Sequence, residues 1–242
     1  MNTSASLTDR RSARDWTDAE LAAHIQFTLV AANATREDIV RHVETAARYK
    51  FNAAMIPMCW VPLARDILRG TGVKVATFIG LSMGHESLHA KISLIRECRA
   101  LGADEVDYEP NMAFFLSGMY DEFREEAAQL VRAAEGMPIK AMLELGYIES
   151  EADQRKAARL LDEGGLPWIK NSSGVGPGSV AATPHNIRLL RETVSPRCRV
   201  KASGKINTYE RAVAVLDAGA DLIGTSSALN VLRRTEGAAA AY

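Results

Sequence analysis

The chain alternates short strand-like runs with amphipathic helical segments, and this alternation constrains its fold more than any other feature. In the helical segments, apolar residues recur at i, i+3, i+4 and i+7. The strand-like runs lie at residues 24–30, 52–58, 74–80, 105–109, 139–145, 168–172, 199–203 and 222–226. Eight strands, each followed by a helix, predict an α/β fold with an eight-stranded (β/α)8 TIM barrel.

The sequence also indicates where the domain begins and that it is single. Residues 1–15 are polar and lack an apolar segment, which predicts a disordered leader instead of a secretory signal. A short N-terminal helix near residues 18–25 precedes the first strand, and no linker follows, so residues 16–242 are expected to form a single barrel domain. Residues suited to helix N-caps stand where helices should begin: Thr35, Ser150, Thr183 and Asn207.

Composition excludes some partners. With a formal net charge of -1, the chain has no basic field for nucleic acid, and its apolar runs are too short to span a membrane. Its three cysteines are an odd number without CxxC spacing, which fits reduced thiols. We therefore expect a cytoplasmic protein that binds neither nucleic acid nor membrane.

Two lysines occur inside strand-like runs, Lys170 in the sixth and Lys201 in the seventh. Burying a lone ammonium costs several kcal/mol unless it is paired or its pKa shifts, so both lysines need an explanation. Inward-facing residues at the carboxyl ends of barrel strands share one pocket. Alternation along the fourth strand points Asp107 into the same space, so the three side chains are expected to converge.

This trio has a chemical meaning, because a lysine attacks a carbonyl only when it is neutral. A second cation, Lys201, would depress the pKa of Lys170 in a desolvated pocket. The imine of Lys170 withdraws electrons, so a C–C bond can be made or broken through an enamine without a cofactor or metal, with Asp107 relaying protons through water. The alternative is structural, in which each lysine simply pairs with an acidic neighbour such as Glu144 or Asp107.

The loops after the last three strands are rich in glycine and serine and meet at one corner of the barrel. Glycine lets backbone N–H groups approach an anion, and a helix that begins after the last of these loops adds its N-terminal amides. Tight turns with no ligand are the alternative interpretation. The candidate phosphate-binding residues are Ser172, Gly174, Ser203, Gly204, Lys205, Ser226 and Ser227.

The segment from His85 to His89 matches H-E-x-x-H, in which two histidines one helical turn apart bind zinc and the glutamate activates water. A zinc hydrolase is therefore an alternative function. No third ligand follows on the same helix, so we expect a chance match and no metal site.

Several motifs together resemble the deoxyribose-phosphate aldolase family: YKFNAAMIPMCWVPLA, GADEVD, IKNSSGVGPG, VKASGKI and AGADLIGTSS. The resemblance, over about residues 21–232, implies cleavage of 2-deoxyribose 5-phosphate to acetaldehyde and glyceraldehyde 3-phosphate, or the reverse, by a homodimer. It implies that Lys170 forms the Schiff base, Lys201 tunes it, Asp107 relays protons and the terminal Tyr242 assists. Thr28 completes the expected substrate-binding set.

The chain also departs from the usual pattern of this family. The first strand has Gln26 and Phe27 where an acid and a histidine are usual, and Lys205 replaces a glycine at the phosphate corner. Further departures are Pro57, Met58, Leu145 and Asn171. These changes leave two alternatives open: the same lysine chemistry on another aldehyde or ketone in specialised biosynthesis, and a barrel that binds a phosphorylated ligand without catalysis.

Overall fold

The computed structural model describes residues 11–234, which form a closed barrel of eight parallel strands surrounded by helices. The strands are β1 (Ile25–Thr28), β2 (Ala53–Met55), β3 (Lys74–Ile79), β4 (Glu105–Tyr108), β5 (Ile139–Met142), β6 (Trp168–Lys170), β7 (Arg199–Ser203) and β8 (Leu222–Thr225). Each strand pairs with its neighbours in chain order, and β1 closes the barrel against β8. The predicted (β/α)8 TIM barrel is thus confirmed.

Helices surround the barrel, and all of them except the first and the last lie between successive strands. They are α1 (Asp18–Ala22), α2 (Arg36–Tyr49), α3 (Val61–Leu68), α4 (Leu88–Leu101), α5 (Met112–Leu116), α6 (Tyr120–Ala134), α7 (Glu151–Glu163), α8 (Pro184–Thr193), α9 (Tyr209–Asp217) and α10 (Ala228–Arg233). Their apolar faces pack on the outward-facing strand residues and form the main hydrophobic core. Within residues 11–234, none of the helices combines the length and apolar character that a bilayer crossing needs.

Three of the four predicted N-cap residues are confirmed. The hydroxyl groups of Thr35, Ser150 and Thr183 each accept a hydrogen bond from the backbone N–H three residues on. The start of α9 differs from the prediction, because Thr208, and not Asn207, is the N-cap. The Thr208 side chain accepts from the backbone N–H of Arg211, while Asn207 lines a cavity one residue earlier.

Residues 11–15 also differ from the expected disordered leader. Ala13–Asp15 form a single 3-10 turn, and Ala13 is buried. Asp217 on α9 accepts hydrogen bonds from the backbone N–H of Ala13 and from the hydroxyl of Ser12, each at 2.7 Å. Two hydrogen bonds and one buried methyl group fix this segment, which composition alone does not reveal.

The interior of the barrel has an apolar half and a charged half. Ala53, Met55 and Ala76 form a separate buried cluster on β2 and β3, with Val30 and Phe78 packed against it. The opposite side, from β4 to β7, presents buried acids and lysines, and the register sets Asp107 beside Lys140 and Lys170 beside Lys201. The division concentrates the interior charges on neighbouring strands.

Candidate active site

Three predicted residues meet at the carboxyl ends of β4, β6 and β7. Lys201 Nζ lies 2.7 Å from Asp107 Oδ2, and Lys170 Nζ lies 3.3 Å from the same oxygen atom. All three side chains are buried. They come together because each stands at an inward-facing strand position, and because β6 and β7 are adjacent with the two lysines directly opposite.

A third lysine, Lys140 on β5, belongs to the same cluster, and the sequence analysis missed it. Its Nζ lies 3.6 Å from Asp107 Oδ1 and 2.5 Å from Glu105 Oε2. Lys74 binds the other oxygen of Glu105 at 2.6 Å. Like Lys170 and Lys201, Lys140 lies within an apolar strand-like run, so its burial could have been inferred in the same way.

The electrostatics of the cluster favour a fixed carboxylate and a labile amine. Burial alone would raise the pKa of Asp107, but the charges of Lys201, Lys170 and Lys140 outweigh burial and hold that pKa well below its ordinary value. Burial lowers the pKa of Lys201 to about 7, with the charges of Lys170 and Lys140 acting in the same direction and Asp107 opposing them. Near neutral pH, therefore, Lys201 changes its charge while Asp107 stays ionised.

A cavity of about 240 Å³ opens above Lys170 at the carboxyl ends of β6, β7, β8 and β1. Seven of the predicted binding residues line it: Thr28, Gly174, Ser203, Gly204, Lys205, Ser226 and Ser227. The cavity is also lined by residues that were not predicted from the sequence: Val30, Ser173, Val175, Ile206, Asn207, Gly224 and Thr225. The structure thus brings together the three glycine- and serine-rich loops.

One predicted binding residue, Ser172, is not among the described residues that line the cavity. Ser172 is buried beneath the loop, where its hydroxyl hydrogen-bonds with Ser179 Oγ at 3.0 Å, and its neighbour Ser173 lines the cavity instead. Tyr242 lies outside the described residues.

The lining is suited to an anion. It contains Lys170 and Lys205 and no acidic residue among the described lining residues. Ser203 Oγ is buried and has no hydrogen-bond partner within residues 11–234, so it has a free donor for a ligand. A phosphate group is an appropriate ligand, because it combines negative charge with several acceptor oxygens.

A pair of acids after β4 and β5, Glu109 and Glu144, is a further feature that the sequence analysis did not predict. Burial, reinforced by the neighbouring Glu144, raises the pKa of Glu109 to about 9. Within residues 11–234 no N–H group reaches the two carboxyl oxygens of Glu109, whose hydrogen-bonding neighbour is the Glu144 carboxyl. Glu144 itself accepts a hydrogen bond from the backbone N–H of Ser173. The pair therefore holds a proton at neutral pH.

The departures from the family pattern have separate structural roles. Asn171 does not face the cavity; its side chain bridges to the backbone of Ser203, donating to the carbonyl at 2.9 Å and accepting from the N–H at 2.8 Å. Phe27 stacks on His42, with ring centroids 3.9 Å apart. Gln26 contacts Lys201 directly. Of these three, only Gln26 touches the lysine cluster.

The H-E-x-x-H segment does not form a zinc site. α4 begins at Leu88 with Ser87 as its N-cap, so His85 lies before the helix and the two histidines do not share a helical face. Both histidines are exposed. Across residues 11–234 there is no group of three or more His, Cys, Asp or Glu side chains placed to hold a metal ion.

A TIM barrel with buried lysines beneath a cavity at the carboxyl ends of its strands has the features of a lysine-dependent enzyme. No protein-family model matches the chain. The deoxyribose-phosphate aldolase of Caldanaerobacter subterraneus subsp. tengcongensis is 35% identical over 215 residues, which cover 88% of this chain and 92% of that protein. The deoxyribose-phosphate aldolase of Thermoanaerobacter pseudethanolicus is 36% identical over 214 residues, covering 87% and 95%.

Solved structures agree with the sequence relatives. The tetrameric deoxyribose phosphate aldolase of Aeropyrum pernix superposes with a TM-score of 0.81 at 29% identity, covering 90% of this chain and 91% of that one. The chain belongs to the deoxyribose-phosphate aldolase family.

Proposed function

We propose that this protein is a Schiff-base aldolase that cleaves 2-deoxyribose 5-phosphate to acetaldehyde and glyceraldehyde 3-phosphate, or makes it from them. The observation that carries the proposal is the shared contact of Lys170 and Lys201 with one oxygen of Asp107 beneath a cavity suited to an anion. Family membership supports the same reaction.

In the proposed mechanism, Lys170 is the nucleophile. Its neutral amine attacks the aldehyde carbon, and loss of water from the carbinolamine leaves an iminium. A base then removes the proton of the hydroxyl group on C3, the C2–C3 bond breaks, and its electron pair moves into the iminium to give an enamine. Glyceraldehyde 3-phosphate leaves; protonation of the enamine at C2 and addition of water release acetaldehyde and restore the amine.

We assign the proton transfers to Lys201, because it is the cluster member whose pKa, lowered to about 7 by burial, lies near neutral pH. Asp107, predicted from the sequence as the relay, stays ionised because three lysines surround it. We therefore infer that Asp107 anchors both amines and that its ionised carboxylate orients the water through which protons pass to and from Lys201. No metal or cofactor enters this mechanism.

We propose that the phosphate group binds at the corner formed by Gly204, Lys205, Ser226 and Ser227. Lys205 has a left-handed backbone with φ 55°, so its loop turns tightly while its exposed side chain supplies a cation. The substrate would thus lie with its phosphate at this corner and its aldehyde at Lys170. We also propose a cytoplasmic location and a homodimer, and the tetrameric assembly of the Aeropyrum pernix relative supports association of more than one copy.

The direct test is a cleavage assay with 2-deoxyribose 5-phosphate that detects both products, followed by a panel of other aldehydes and ketones. Lys170→Met should abolish cleavage, whereas the matched control Lys156→Met, on α7 outside the cavity, should retain it. Turnover of another carbonyl compound, but not of 2-deoxyribose 5-phosphate, would support the Schiff-base mechanism and show that the proposed substrate is wrong. Binding without turnover of any compound would favour the ligand-binding barrel.

A further inference from the structure

Gln26 on β1 is a fully buried amide between two charged side chains. Its Oε1 accepts a hydrogen bond from Lys201 Nζ at 2.5 Å, and its Nε2 donates to Glu105 Oε2 at 2.7 Å and to Asn52 Oδ1 at 3.2 Å. The opposite orientation of the amide would set an NH2 group against an ammonium and an oxygen against a carboxylate. The two charged partners therefore fix which end of the amide faces Lys201.

Few negative charges surround Lys201 in the part of the chain that the structure describes. β4 contributes Asp107, β5 and β6 contribute the cations Lys140 and Lys170, and β8 contributes the uncharged Gly224. Asp107 is shared among all three lysines. Among residues 11–234, Lys201 thus contacts a single carboxylate, which it shares with the other two lysines, and its other acceptor, from β1, is neutral.

Glu105 lies beyond Gln26 and has its own cations. Lys74 on β3 and Lys140 on β5 bind its two oxygens, and although burial opposes ionisation, these lysines lower the pKa of Glu105 to about 2. Glu105 is therefore ionised at any working pH. The Gln26 amide lies between Glu105 and Lys201. It accepts a hydrogen bond from Lys201 Nζ and adds no negative charge.

We propose that Gln26 is a positioning residue that holds Lys201 in place while leaving its proton labile, so that Lys201 can act as a base near neutral pH. This inference rests on the proposed function and deepens it. A carboxylate at position 26 would stabilise the protonated form of Lys201 and raise the pKa of that lysine. An apolar side chain would leave the Lys201 ammonium without its second hydrogen-bond acceptor and lower the pKa.

The two near-isosteric substitutions Gln26→Glu and Gln26→Met should therefore act in opposite directions. In the pH profile of kcat/KM for cleavage, the acid limb of the wild type reports the base form of Lys201 in the free enzyme. Gln26→Glu should raise the midpoint of this acid limb by about one pH unit or more, and so lower kcat/KM about tenfold at pH 6. Gln26→Met should lower the midpoint.

Gln129→Glu on α6 is the matched control, because it adds the same negative charge outside the cavity and the lysine cluster. Its midpoint should equal that of the wild type. A structural role for Gln26 would change the amount of folded enzyme and leave the midpoint where it was. Circular dichroism and the fraction of active sites, titrated by imine trapping, separate folding loss from a shifted profile.

The outcomes distinguish the inference from the function it rests on. A wild type that traps no imine and cleaves no substrate contradicts the proposed function and, with it, the role of Gln26. An active wild type whose midpoint is unchanged by both substitutions, or moves the same way in both, overturns the role of Gln26 alone. If Gln26→Glu does not fold, Gln26→Met decides, and an unchanged or raised midpoint in that variant refutes the inference.

Discussion

Replacing Lys201 with Met removes a buried amine and keeps a side chain of similar length, so the substitution separates the contributions of Lys201 to activity and to stability. In the wild type, burial lowers the pKa of Lys201 from the ordinary lysine value of 10.5 to about 7. At about 1.4 kcal/mol for each pH unit, this difference corresponds to about 5 kcal/mol. Loss of a group that transfers protons should lower kcat/KM by about 100-fold or more.

The sign of the stability effect follows from proton binding. Between pH 7 and pH 10.5 the folded protein has released the Lys201 proton while the unfolded chain retains it, so wild-type stability rises with pH. This contribution is lost as the pH falls from 10.5 to 7. Lys201→Met lacks it, so the free energy of unfolding of the wild type, relative to the variant, should increase by about 3 kcal/mol from pH 6 to pH 9.

Urea unfolding of both proteins at pH 6 and pH 9 measures this difference. Glu109, whose raised pKa has the opposite effect on stability, is present in both proteins, so its contribution cancels in the comparison. Asp107 keeps Lys170 and Lys140 as partners in the variant, so the fold should persist. An equal dependence of stability on pH in both proteins would show that Lys201 does not titrate in this range, and the assignment of Lys201 as the base would be wrong.

Three further substitutions test other parts of the site. Gly224→Ala places a methyl group 2.5 Å from Ser203 Oγ and 3.1 Å from Lys201 Cε. The variant should show kcat/KM lowered about tenfold or more, with an unchanged circular dichroism spectrum. Full activity would mean that the site tolerates displacement of Lys201. Glu109→Gln removes a carboxyl whose pKa is raised to about 9 by burial. The melting temperature of the variant should therefore exceed that of the wild type at pH 8.5 and approach it at pH 5. A difference in melting temperature that does not change with pH would refute the raised pKa of Glu109. Lys205→Ala should raise KM about tenfold for a phosphorylated substrate and leave turnover of an unphosphorylated aldehyde unchanged. Equal effects on the two substrates would mean that the phosphate group binds elsewhere.

The barrel could be predicted from the sequence because its signals are local. Each strand-like run is a few residues long and each helix has a clear apolar period, so periodicity alone locates all eight strands to within a few residues. The convergence of Asp107, Lys170 and Lys201 also follows, because alternation along a strand and the order of strands fix which side chains face inward. These inferences need no knowledge of distant contacts.

The parts that could not be predicted depend on contacts between distant segments. Gln26 and Glu105 are 79 positions apart, and their hydrogen bond exists only once the barrel closes. The raised pKa of Glu109 depends on burial and on Glu144, which lies just after the next strand, β5. Ser172 and Ser173 are equivalent by composition, and only the path of the loop decides which of them lines the cavity.

The central claim is that Lys170 forms an imine with the substrate, and trapping that imine tests it most directly. The protein is treated with borohydride in the presence of 2-deoxyribose 5-phosphate or acetaldehyde, and the site of reduction is located by intact mass and peptide mapping. The account predicts one adduct, on Lys170, which disappears in Lys170→Met and persists in Lys156→Met. A folded protein that forms no adduct, or forms it on Lys140 or Lys201 instead, would contradict the account.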